Sequence, residues 1–65
     1  MALQHNWYEE KRSAYLYSIM AKHETNILHK KLFLDLSQSA EAQAKVWENK
    51  IIQNILKRLQ STWLN

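Results

Sequence analysis

Apolar positions recur at helical spacing along almost the whole chain, and they do so in three stretches that face different ways. At 100° per residue, Trp7, Glu10, Ala14, Tyr17 and Ala21 fall on one face of a first helix, and every member except Glu10 is apolar or aromatic. Tyr8, Tyr15 and Ile19 form a second stripe roughly 140° away, so this helix is expected to touch more than one neighbour. Asn6 is the expected N-cap, with Glu9 three residues on as in a capping box, and Lys22 and His23 suit the last turn. The first helix is therefore predicted over about residues 7–23.

The only tight connection is His23–Asn26 (HETN), which makes the flanking helices antiparallel neighbours. Asn26 is the expected cap of the next helix, with Thr25 as the alternative. The second helix is predicted from Ile27 to at least Asn49. Leu32, Leu36, Ala40, Gln43 and Trp47 form its expected inward face, flanked by Phe33, Ala44 and Ile51. Glu41 points about 130° away by the same arithmetic and reads as a solvated residue near Lys45.

After Asn49 the stripe changes direction. Ile52, Ile55, Leu56, Leu59 and Trp63 make a face rotated roughly 145° from that of the second helix. Two geometries satisfy this: a bend within residues 49–54, or one helix of about 36 residues and about 54 Å that changes partner. The organisation expected is a helical hairpin over residues 1–49 and a basic amphipathic helical tail over residues 50–65.

Composition narrows the class. Gly and Pro are both absent, which disfavours hairpin turns and barrel corners and points to an all-α fold. There is no cysteine, hence no disulfide framework and no thiolate metal site. A chain of 65 residues without such staples is too small to hold a sizeable core. A homodimer at least, closing into a four-helix or larger bundle, is the expected remedy.

The net charge of +3 sits entirely in the last sixteen residues, where Lys50, Lys57 and Arg58 have no accompanying acid. That is too sparse for a nucleic-acid surface. A basic amphipathic segment ending near Trp63 suits a membrane interface, or its apolar face packs on another protomer. No apolar run approaches a membrane-spanning length, and Met1–Asn6 lack the features of a signal peptide. The expected location is cytoplasmic, or the cytosolic face of a membrane.

A carboxylate amid an apolar stripe must be hydrogen-bonded, paired, on a metal, or turned to solvent. The candidate site pairs Glu10 on the first helix with Gln43 on the second, with Tyr17 two turns from Glu10. Read as structure, the three form a polar network. Read as chemistry, Glu10 and Gln43 are half of a metal-binding bundle, because carboxylate-bridged di-iron proteins draw their ligands from four helices. His5, His23 and His29 add little, and no Ser–His–Asp set has supporting context.

Glu10–Tyr17 (EKRSAYLY), the HETN link, Leu32–Leu36 (LFLDL) and Ala40–Trp47 (AEAQAKVW) together resemble a known pattern. It is the rubrerythrin-type, ferritin-like N-terminal domain of the vacuolar iron transporter family, and the likeness covers about residues 7–50. The resemblance implies a ferritin-like bundle associated with iron or manganese handling, the cytosolic part of a membrane transporter. In that family a Glu seven residues before the helix-one Tyr is a metal ligand, and Glu10 relative to Tyr17 matches. The family's helix-two motif is Glu-x-x-His ending four residues before a Trp. Counted back from Trp47, those positions hold Ala40 and Gln43, and neither matches. Ala40 has no donor atom and an amide oxygen is a weak iron ligand, so di-iron oxidase chemistry is not expected. The competing expectation is a metal-free oligomerisation module in which Glu10, Gln43 and Tyr17 set helix register.

Overall fold

A computed structural model describes residues 2–63, and within them the chain is two antiparallel α-helices: α1, Ala2–His23, and α2, Ile27–Trp63. The all-helical class read from the sequence is what the structure has. Glu24–Asn26 connect the helices, and Asn26 caps α2 as expected. Its Oδ1 accepts hydrogen bonds from the backbone N–H of Leu28 at 2.9 Å and of His29 at 3.1 Å. These are two of the donors that the first turn of a helix leaves unpaired. The Glu24 carboxylate accepts from the Asn26 N–H at 3.0 Å, which fixes the entry to the cap. Asn26→Ala is expected to lower stability by about 1 kcal/mol in urea unfolding, with Asn26→Ser near neutral.

The start of α1 differs from expectation. Asn6 is not a cap but a half-buried residue within the helix, which begins at Ala2. The reason is packing. Leu3, Trp7, Glu10, Ala14, Tyr17, Ala21 and Glu24 repeat with alternating spacings of four and three, and all are buried or half-buried. That heptad runs through Leu3, so the extra turn gains an apolar contact against α2. Leu3 and Gln4 line a shallow depression with Ile51, Asn54, Ile55 and Arg58.

At residues 49–54 the structure has the second of the two expected geometries: α2 continues unbroken for 37 residues, with no separate third segment. Nothing in that stretch removes a backbone donor or carries the conformational freedom of glycine. Because α2 has 37 residues against 22 in α1, it projects about 22 Å further at 1.5 Å per residue. The molecule is a rod of 59 × 15 × 13 Å. Its radius of gyration is 16.5 Å, where a compact 65-residue domain would have about 11 Å.

The seam is built from small residues. The only buried side chains among those described are Ala14, Ala21, Ala40 and Ala44, at 1% to 6% exposure. Half-buried Phe33, Ser37, Trp47 and Ile51 complete the α2 side. Small residues let two helices approach closely, and the Ser37 hydroxyl crosses the gap to donate to the Ala14 carbonyl at 2.8 Å.

Candidate functional site

Among the described residues, two inter-helix polar contacts fix the register. Ser37 reaches Ala14, and the Lys11 ammonium bridges the Glu41 carboxylate at 2.9 Å. In this register Glu10 lies level with the stretch between Ala40 and Ala44. The α2 residues on the seam are Phe33, Ser37, Ala40, Ala44, Trp47 and Ile51, a face rotated roughly 55° from the one expected. That rotation accounts for several corrections together. Leu32 and Gln43 are exposed rather than inward. Glu41 is exposed as expected, but it lies at the edge of the seam, where it pairs with Lys11 rather than with Lys45. At 44% and 52% exposure this ion pair is worth at most about 1 kcal/mol.

The predicted site residues are thus only partly gathered. Glu10 and Tyr17 are half-buried on the seam, as their stripe implies, and Gln43 stands roughly 80° round α2 from its centre. Among the described residues no hydrogen bond or ion pair joins Glu10, Gln43 or Tyr17 to one another or to any other side chain. The polar network expected from them does not form within one chain. No group of three or more His, Cys, Asp or Glu gathers among the described residues. A metal centre of the ferritin type needs several carboxylates and histidines converging from facing helices, and the donors within one chain do not fit that requirement. His23 and His29 flank the turn and are exposed, as is His5.

Two features that periodicity does not single out prove structural: the Ser37 hydroxyl on the seam, and the edge position of Lys11 and Glu41. The signal for both is the alternating spacing of Phe33, Ser37, Ala40, Ala44, Trp47 and Ile51, which admits a serine into an otherwise apolar heptad.

The bridge also distinguishes the two edges of the hairpin. Lys11 and Glu41 occupy one edge. On the opposite edge, roughly 100° from the seam on each helix, lie Met20 and Leu32. Leu16 and Leu28 lie further round on that side, and half-buried Leu36 lies closer in. The register sets Leu16 and Met20 alongside the row of Leu28, Leu32 and Leu36. This is an apolar strip with no charged residue among its members, and four of the five are largely exposed. The outer stripe of α1 is also uncovered, with Tyr8 and Tyr15 exposed. No described helix is long and apolar enough to cross a membrane.

The chain matches no protein-family model, no curated protein and no solved structure.

Proposed function

We propose that this chain is a helical oligomerisation module, in which a second copy closes over the apolar edge marked by Met20 and Leu32 to form a four-helix bundle. The observation that carries the reading is that, among the described residues, alanine is the only residue type buried within the hairpin. Each buried methyl contributes about 0.8 kcal/mol, whereas leucines, isoleucines and tyrosines that could contribute several times more remain in water. The surface area supports the same reading. A compact protein of this mass would expose about 4,400 Å², and the hairpin exposes 5554 Å². Two copies therefore carry an excess of about 2,300 Å², within the range of obligate homodimer interfaces.

The ferritin-like reading, iron or manganese handling, keeps one observation: Glu10 is half-buried on the seam without a partner among the described residues. The remaining ligands would have to come from a second copy. Thermal unfolding followed at several protein concentrations, with metal analysis of the purified chain and of Glu10→Ala, separates the two. Self-association without metal predicts a midpoint that rises with concentration, no bound metal in either protein, and association retained in the variant. Stoichiometric iron or manganese that Glu10→Ala abolishes would establish the metal-handling reading instead. A midpoint independent of concentration would refute self-association.

A further inference from the structure

We propose that the projecting end of α2 is a docking surface for an anionic phospholipid membrane, independent of the edge assigned above to a second copy. Three observations place it there. Ile52, Leu56 and Leu59 are about half exposed and Trp63 is 78% exposed, on one side of the end of α2 that projects past α1, with half-exposed Ile55 bordering the stripe beside Leu3. That stripe lies on the Lys11–Glu41 side of α2, so a copy seated on the opposite edge leaves it free. The cations Lys50, Lys57 and Arg58 lie away from the stripe, and no acidic residue follows Glu48.

Charge selects the occupant. The polar face of this stretch carries three cations and no acid, which complements an anionic surface and offers a second copy of the same stretch no opposite charge to pair with. An anionic lipid surface instead attracts every one of them. Lys50 stands over the Trp47 ring at 4.8 Å, while Lys57 and Arg58 have no ion-pair partner among the described residues. A helix with a basic polar face and an apolar face lies in the plane of the interface, and an indole ring near its end suits the headgroup level. Each cation near such a surface raises partitioning about fivefold.

Flotation of the full chain with vesicles of pure phosphatidylcholine, and with vesicles containing about 30% phosphatidylserine, tests this. The expected result is binding to the anionic vesicles at least tenfold above the neutral ones, falling steeply between about 50 mM and 500 mM NaCl. Lys57→Glu with Arg58→Glu is expected to lower binding at least about 25-fold, without changing the oligomeric state measured in vesicle-free samples. A chain that stays helical yet binds neither vesicle, or binds both equally, would overturn the proposal. So would Leu56→Ser with Leu59→Ser dissociating the oligomer, which would assign the stripe to a second copy. Because association is measured separately, loss of vesicle binding and loss of self-association are distinguishable.

Discussion

Replacing Met20 and Leu32 together with glutamate is expected to dissociate the assembly and to melt most of its helix at micromolar concentration. In an isolated hairpin both side chains face water, at 46% and 53% exposure, and two exposed carboxylates would change stability by no more than about 0.5 kcal/mol each. If a second copy covers that edge, the same change forces unpaired carboxylates into an apolar interface. There each costs several kcal/mol or drives the copies apart. Ala42→Glu with Gln53→Glu adds the same charge on the side of α2 turned away from α1, where both residues are exposed, and is expected to leave association intact. Size-exclusion chromatography with light scattering and far-ultraviolet circular dichroism reads both outcomes.

The second large effect concerns the seam. Ala14→Leu is expected to destabilise the hairpin by about 2 kcal/mol, within the range for overpacking a tight contact. Ala14 is 2% exposed, and its carbonyl accepts the Ser37 hydroxyl across the gap. A leucine there has no room unless the helices separate, and separation breaks that hydrogen bond. The added side chain improves neither register nor capping. Ala42→Leu, which adds the same volume on an exposed face, is expected to stay within about 0.5 kcal/mol of the parent. Urea unfolding at fixed protein concentration compares the two directly.

Much of this architecture is legible before any coordinates. The absence of Gly and Pro states an all-helical chain, HETN states where it turns, and Asn26 is an N-cap because its short carbonyl can meet two N–H groups ahead of it. The Glu10 stripe of α1 is the seam. What periodicity does not yield is the rotation of α2. Leu32 and Gln43 fit a helical stripe as well as Phe33 and Ser37 do, and hydrophobicity alone favours the leucine over the serine. Contact between two helices rewards small residues as well as apolar ones, so the seam follows Ala40 and Ala44 and draws Ser37 inward with them. The same rotation leaves Gln43 in water, away from Glu10, and brings Glu41 to Lys11. The N-terminal turn is missed for a related reason. In Met1–Asn6 the apolar residues Met1, Ala2 and Leu3 are consecutive and show no helical spacing, and Leu3 acquires a packing partner only because α2 runs on past Asn49.

The glutamate stripe therefore keeps its place while the site imagined around it does not assemble within one chain. What remains is an edge of leucines and a methionine with nothing over it, and a rod longer than its own partner can cover. Sedimentation equilibrium over a dilution series from about 100 μM to about 0.1 μM, with helix content measured on the same samples, tests this most directly. The account predicts a dimer or larger species at the upper end, and helix lost together with association on dilution. A monomer that keeps its full helix content across the whole series would contradict it.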